Sequence, residues 1–287
     1  MLSINNPSFS SPPQVRGLIG VVHLAPMPGD PTHAGGGFAA VEARALADAR
    51  ALAKGGVDAI IIENFGSAPF VKGVAGDRLP PVQVAAMSRF VRAIAAIDEV
   101  GGLPLGVNCL RNDASAALGI AAATDAAFIR VNVHVGAMMT DQGLIEGEAA
   151  TTLRDRLALG ASERVAILAD VLVKHAAPLG ALDARTATRD TLERGLADGV
   201  IVTGEATGAS ISNARLDLVR EAAEGAPVYI GSGLTVESAA QLAPRCHGAI
   251  VGTALKVGGD IHAPVEVDRV RALADAVAGR FLATASH

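Results

Sequence analysis

Four segments of the chain repeat one short pattern: a helix end, a small or polar turn, then a run of aliphatic residues. They are "GGVDAIIIEN" (55–64), "ATDAAFIRVN" (123–132), "ADGVIVTG" (197–204) and "RCHGAIVGT" (245–253). Between them lie four more short apolar runs, "GLIGVVHL" (17–24), "LPLGVNCL" (103–110), "RVAILADV" (164–171) and "PVYIGSG" (227–233). Strands that alternate with helices pair in parallel through right-handed crossovers. About eight of them is the number a closed βα barrel needs. The competing architecture, an open doubly wound sheet, calls for a Gly-rich fingerprint after the first strand. "HLAPMPGDP" (23–31) contains none. The expected fold is therefore α/β: a single (βα)8 TIM barrel over 17–282, after a loose Ser/Pro-rich arm (1–16) and before a short tail (283–287).

The stretches between the runs read as helices with recognisable ends. "AAVEARALADARALAKGG" (39–56) has helical periodicity and closes on Gly55-Gly56, a C-cap signal. "PPVQVAAMSRFVRAIAAIDEV" (80–100) opens with proline suited to a first turn. Asn112, Asp113 and Ser212 are candidate N-caps for the helices that follow them.

Composition narrows the function classes. The 287 residues are 50% apolar and 18% charged, enough to bury a large core in one domain. A net charge of −5 without a Lys/Arg cluster removes the electrostatic footprint of a nucleic-acid binder. Two distant cysteines, Cys109 and Cys246, give neither a disulfide framework nor a zinc motif, which fits a reducing cytoplasm. The N-terminus lacks the basic start and apolar stretch of a signal peptide. The apolar segment 114–129 is interrupted by Gly119, Thr124 and Asp125, so no membrane insertion is expected, though peripheral association with a membrane is compatible. Alanine-rich outer helices point to a homo-oligomer.

Parallel strands covered on both faces should be almost wholly apolar, so polar residues at their C-terminal ends carry the information. The turns in "YIGSGLT" (229–235) and "AIVGTALK" (249–256) follow the seventh and eighth runs. Barrels frequently hold a phosphate there, on backbone N–H groups that small residues leave accessible. Gly231, Ser232, Gly233, Gly252 and Thr253 are assigned to such a cradle; the plainer reading is two Gly-rich turns without a ligand. Glu63 and Asp170 end apolar strands, and partial burial is how a carboxylate is tuned for acid or base work. They form the candidate catalytic pair; helix capping or pairing with Arg130 is the alternative for either.

Other polar residues near strand ends are candidate substrate contacts: His23 before a Pro-stiffened loop, Asn64, Asn108, Arg130, Asn132, His134, Thr203, Glu205 and, further along its loop, Lys174. In "RVNVHVG" (130–136) every second residue is polar. On a strand without a wet face, these residues must point into the mouth or lie beyond the strand end: Asn132 is the expected ligand-facing residue, Arg130 its deeper partner or a counter-ion for Glu63 or Asp170, and His134 belongs to the start of a loop long enough to act as a lid. No cofactor is assigned. A divalent metal on His23, Glu63 and Asp170, or a flavin phosphate in the glycine turns, are the minor alternatives.

Taken together, "GVVHLAPMPGDP", "IIENFGSAPF", "GVNCLRNDASAALGIA", "FIRVNVHVGAMMTDQGLIEG", "ADVLVKHAAPL", "RGLADGVIVTGEATG" and "YIGSGLT…GAIVGTALK" resemble the BtpA family, also called BtpA/SgcQ. The resemblance runs from about Leu18 to Val267. It implies a phosphate-binding barrel related to phosphoribosylanthranilate isomerase. The family takes its name from a role in photosystem I biogenesis, while its SgcQ branch lies among sugar-metabolism genes and is described, without a settled reaction, as a nucleosidase. The motif positions Glu63, Asn64, Asn108, Arg130, Asn132, His134, Asp141, Asp170, Lys174 and His175 fit the pattern; Cys109 is a local departure of small consequence. The expectation is an enzyme for a phosphorylated sugar or nucleoside-like molecule, a nucleosidase or an isomerase. A non-catalytic assembly factor for a membrane complex and a flavin- or phosphate-binding module stand as alternatives.

Overall fold

The computed structural model describes residues 12–173, 175–204 and 211–283. Its strands, in chain order, are β1 (Gly17–His23), β2 (Ala59–Glu63), β3 (Leu105–Asn108), β4 (Phe128–Val131), β5 (Ala137–Thr140) and β6 (Gly143–Glu146). There follow β7 (Ala166–Val171), β8 (Ala176–Pro178), β9 (Gly199–Val202), β10 (Val228–Ile230) and β11 (Gly248–Val251). Eight of these, β1-β2-β3-β4-β7-β9-β10-β11, close into a parallel barrel, and each lies inside one of the eight apolar runs of the sequence. The helices α1 (Gly37–Gly55), α2 (Pro81–Ala95), α3 (Ala114–Thr124), α4 (Ala149–Ala158), α5 (Ala184–Arg189), α6 (Asn213–Ala222), α7 (Val236–Leu242) and α8 (Val267–Val277) follow the barrel strands one for one. This is the (βα)8 TIM barrel.

Local chemistry sets the helix ends. Gly56 takes a left-handed conformation (φ 92°) and closes α1, Pro81 opens α2, and the side chains of Asp113 and Ser212 accept from the Ala116 and Arg215 backbone N–H groups. Side-chain alternation then divides each strand between two cores. Outward residues such as Leu18, Val22, Ile60 and Ile62 pack with the helices. Inward residues, including Ile19, Val21, Ile61, Phe128, Leu168, Ile201, Tyr229 and Ile250, fill the barrel. Gly106 makes room for one of the largest of them: a Cβ there would sit 2.3 Å from the Phe128 ring.

Two expectations are corrected. The arm is not loose throughout, because Val15 is buried in the barrel interior and its carbonyl accepts from the Tyr229 hydroxyl at 2.6 Å. The stretch after β4, expected as a loop, is ordered into strands. It forms the β5–β6 hairpin, to which β8, from the loop after β7, adds on the other side of β5. This three-stranded antiparallel sheet has a small core of its own, Val133, Met138, Ile145 and Val173.

Candidate active site

The polar row at the mouth follows from strand register. His23 lies beside Glu63, Glu63 beside Asn108 and Asn108 beside Arg130 on neighbouring strands. His23, Glu63 and Arg130 each stand two residues beyond an inward apolar side chain, and Asn108 two beyond Gly106, so the alternation that fills the barrel below carries these side chains to its upper end. Asn132 continues the series beyond β4. The row opens into a cavity of about 660 Å³, whose walls include His23, Glu63, Arg130, Asn132, the turn from Gly231 to Thr235 and the turn from Gly252 to Ala254. In the ring of eight strands, the turn after β10 stands across from the end of β3, and the turn after β11 across from the end of β4.

Within the row, Glu63 is buried and directed. Asn108 Nδ2 donates to its Oε2 at 2.7 Å, and His23 Nε2 lies 3.9 Å from its Oε1. The His23 ring is held by its neighbours: it packs on Phe65 with centroids 4.8 Å apart, and a Cβ on Gly252 would lie 2.5 Å from its Cε1. Gly231 does the same for Thr203, whose Cγ2 would be 2.7 Å from an added Cβ. These two glycines are thus required by adjoining side chains, apart from any ligand. Gly233 has φ +85°, and the buried hydroxyls of Ser232 and Thr203 have no hydrogen-bond partner among the described residues.

Asp170 occupies a different position from the one expected of a catalytic partner to Glu63. It accepts from Arg130 Nε and Nη2, both at 2.9 Å, and from Asn132 Nδ2 at 3.0 Å, with its side chain wholly enclosed. It is absent from the wall of the large cavity and borders a second, smaller one. Burial alone would lower the Arg130 pKa, but the Asp170 charge and hydrogen bonds outweigh it and hold the guanidinium above its ordinary value. Asp170 therefore positions two cavity residues, and of the expected carboxylate pair Glu63 alone lines the large cavity.

Asn64 and His134 are also corrected. Asn64 donates to the Leu110 carbonyl at 3.1 Å and accepts from the Leu110 N–H at 2.7 Å, which stitches the end of β2 to the segment after β3. His134 donates from Nε2 to the Gly195 carbonyl at 2.8 Å and lines the smaller cavity, not the large one. Among the described residues no group of three or more His, Cys, Asp or Glu side chains is placed to hold a metal ion, so His23, Glu63 and Asp170 do not converge on one. Lys174 and Glu205 lie outside the described residues.

Sequence reasoning passed over three contributors to the cavity wall: Phe65 and Phe70 from the loop after β2, and Arg111 beyond β3. Arg111 is buried, and that burial lowers its pKa against the opposing pull of Asp170 and Asp141. The signal was present in "CLRND": a lone cation between a strand end and a helix N-cap is badly placed unless it faces the mouth. Asp141 and His175, from the capping loops, also reach the wall. Among the described residues no helix is long and apolar enough to cross a membrane.

Likeness to known proteins runs along the whole barrel. The BtpA family model matches residues 14–279. The Photosystem I biogenesis protein BtpA of Synechocystis sp. is 49% identical over 261 residues, covering 91% of this chain and 88% of that one. Among solved structures, thiamine phosphate pyrophosphorylase from Pyrococcus furiosus superposes with a TM-score of 0.52 at 13% identity, over 92% of this chain and 95% of the other. N-(5'-phosphoribosyl)anthranilate isomerase from the same organism gives 0.51 at 12%, over 91% and 98%. The structures share the barrel, and the sequence match goes further: the chain belongs to the BtpA family.

Proposed function

We propose that the chain is an enzyme acting on a small phosphorylated molecule, a sugar phosphate or nucleoside-like compound, with Glu63 as its acid-base group. One observation carries this reading: a buried carboxylate, oriented by Asn108, shares a cavity of about 660 Å³ with the two small-residue turns after β10 and β11. Both turns are where barrels commonly take a phosphate. The names of the two structural neighbours, a thiamine phosphate pyrophosphorylase and a phosphoribosylanthranilate isomerase, support the ligand class.

In this reading the phosphate rests on Gly231, Ser232, Gly233, Gly252 and Thr253. The rest of the ligand spans the mouth towards Arg111, Arg130 and Asn132. Glu63 Oε1, the oxygen not engaged by Asn108, takes or gives the proton, with His23 Nε2 beside it at 3.9 Å. In a nucleosidase the proton would come from the attacking water; in an isomerase it would move between adjacent carbons. Asn108 and Arg130 position, and Asp170 keeps Arg130 and Asn132 in place.

The test uses Glu63→Gln, which keeps the side-chain volume. Turnover of a phosphorylated sugar or nucleotide panel should drop by about 10²–10⁴-fold, the usual contribution of a general acid or base. Binding of inorganic phosphate by calorimetry should stay within twofold of wild type, and Gly233→Val should abolish it. Full turnover in Glu63→Gln, or phosphate binding unaffected by Gly233→Val, would overturn the assignment.

A second reading, docking onto a membrane-protein complex, is favoured by the name of the Synechocystis relative and by one surface. Met139 and Leu144 are cross-strand partners on the β5–β6 hairpin and stand 48% and 36% exposed. This reading requires that Met139→Asp with Leu144→Asp abolish association with such a complex while Glu63→Gln leaves it intact.

A further inference from the structure

A nucleosidase and an isomerase place opposite charges in their transition states. Breaking a glycosidic bond builds positive charge on the sugar, and hydrolases of that kind flank the bond with two carboxylates. Taking a proton from the carbon beside a carbonyl builds negative charge on the carbonyl oxygen, which calls for fixed donors aimed at it. The wall of the large cavity meets the second demand.

Among the described residues, Glu63 is the one buried carboxylate on that wall. Asp141 is exposed on the hairpin, with one oxygen taken by the Gln142 side-chain amide at 2.6 Å. Asp170 stands behind Arg130, on the wall of the smaller cavity. What Glu63 meets across the mouth is a cation. Glu63, Asn108 and Arg130 are successive in register on β2, β3 and β4, so the backbones of Glu63 and Arg130 lie two strand spacings, about 10 Å, apart. Asp170 takes Nε and Nη2 of the guanidinium from one side, and in a planar fork that leaves Nη1 on the edge turned away from it. Nη1 is bonded to nothing among the described residues and is not enclosed. The ion pair is thus a fixed dipole whose positive end belongs to the large cavity and whose negative end lies behind the wall. A Cβ on Gly231 would lie 3.4 Å from Arg130 Nη2, so the guanidinium also adjoins the turn assigned to phosphate. Arg111 adds a second buried guanidinium to the same wall.

From this geometry we infer that the reaction is proton transfer beside a carbonyl, on a phosphorylated hydroxy aldehyde or hydroxy ketone, with Arg130 Nη1 donating to the enediolate oxygen that forms. The inference rests on the phosphate-binding reading above and chooses between its two reactions. Glu63 Oε1 takes the proton of the hydroxyl-bearing carbon; the C–H electron pair forms a C=C bond, and the carbonyl π pair moves to the oxygen that Arg130 holds. That proton then returns to the former carbonyl carbon while the hydroxyl proton passes to the former carbonyl oxygen. The product is the isomer, and neither oxidant nor reductant is consumed. Arg130 is then a catalytic residue as well as a positioning one.

Calorimetry on the full chain with three probes tests the sign of the charge: inorganic phosphate; phosphoglycolate, whose carboxylate imitates the enediolate; and an iminoribitol phosphate, whose ammonium imitates the sugar cation. Phosphoglycolate should bind about tenfold or more tighter than inorganic phosphate, and the iminoribitol phosphate no tighter than inorganic phosphate. Arg130→Lys keeps a counter-charge for Asp170 but removes the Nη1 edge. It should erase most of the phosphoglycolate advantage and leave inorganic phosphate within about twofold. In D2O the carbon-bound hydrogen beside the carbonyl of dihydroxyacetone phosphate or ribulose 5-phosphate should exchange, and do so about 10²–10³-fold more slowly in Arg130→Lys. Should Arg130→Lys fail to fold, the order of the three probes on the wild-type chain decides. An iminoribitol phosphate that binds tightest, a phosphoglycolate no tighter than phosphate, an advantage unchanged in Arg130→Lys, or no exchange with either sugar phosphate would overturn the inference and leave phosphate binding standing. Absence of phosphate binding would overturn the reading beneath it as well.

Discussion

The lower and upper layers of the barrel interior are built by the same strands on the same alternation, yet they solve opposite problems. Below, Ile19, Ile61, Phe128, Leu168, Ile201 and Ile250 meet as a wholly apolar plug. Two residues further along those strands stand, in order, Val21, Glu63, Arg130, Asp170, Thr203 and Gly252, almost every one polar or without a side chain. Burial is nearly as complete above as below. Since polar groups gain little from burial even when paired, stability should come from the lower layer and chemistry from the upper.

Four measurements break or sharpen that contrast. Phe128→Ala, in the lower layer, should cost about 3–5 kcal/mol, because Gly106 offers no side chain to refill the space; a urea midpoint close to wild type would deny the lower layer its role. Asp170→Asn leaves Arg130 buried without its counter-charge and should cost about 3 kcal/mol. Replacing both partners, Arg130→Met with Asp170→Leu, should restore most of that while ligand binding in the large cavity is lost.

A smaller effect follows from His134, which burial holds below the ordinary histidine pKa. Its stability contribution is complete above a pH of about 6.5, where both states are neutral. As pH falls below that, the unfolded chain takes up a proton that the folded chain refuses. Stability should therefore drop by up to about 1.4 kcal/mol per pH unit until the lower folded pKa is reached. Comparing denaturation at pH 7 and pH 5 with that of His134→Gln isolates the slope; an unchanged slope would refute it. Smallest of all, Thr203→Val removes a buried hydroxyl without a partner among the described residues and should shift stability by no more than about 0.5 kcal/mol in either direction. A larger loss would mean that the upper layer holds the fold together too.

The eight strands were legible because a strand covered on both faces shows as a short aliphatic run, and the mouth because polar residues interrupt those runs only at one end. Asn64, His134 and Asp170 show where that reading stops. Residue type and position put all three at strand ends, but hydrogen bonds to Leu110, to Gly195 and to Arg130 with Asn132 turn them to other uses. Those partners lie tens of residues away, on segments whose spacing leaves no local trace. The antiparallel sheet was missed for the same reason. Its strands are three or four residues long and partly exposed, and β8 pairs with β5 only after a helix and two strands have intervened.

That pairing has a consequence for how the molecule assembles. β5 and β6 can meet as a local hairpin, whereas β8 can dock only when β4 and β7 already stand side by side in register. The amide protons of the β5–β8 pair, around Thr140 and Ala176, therefore report the cooperativity of two neighbouring βα units. They should exchange whenever that quarter of the ring opens, even while the hairpin beside them stays folded.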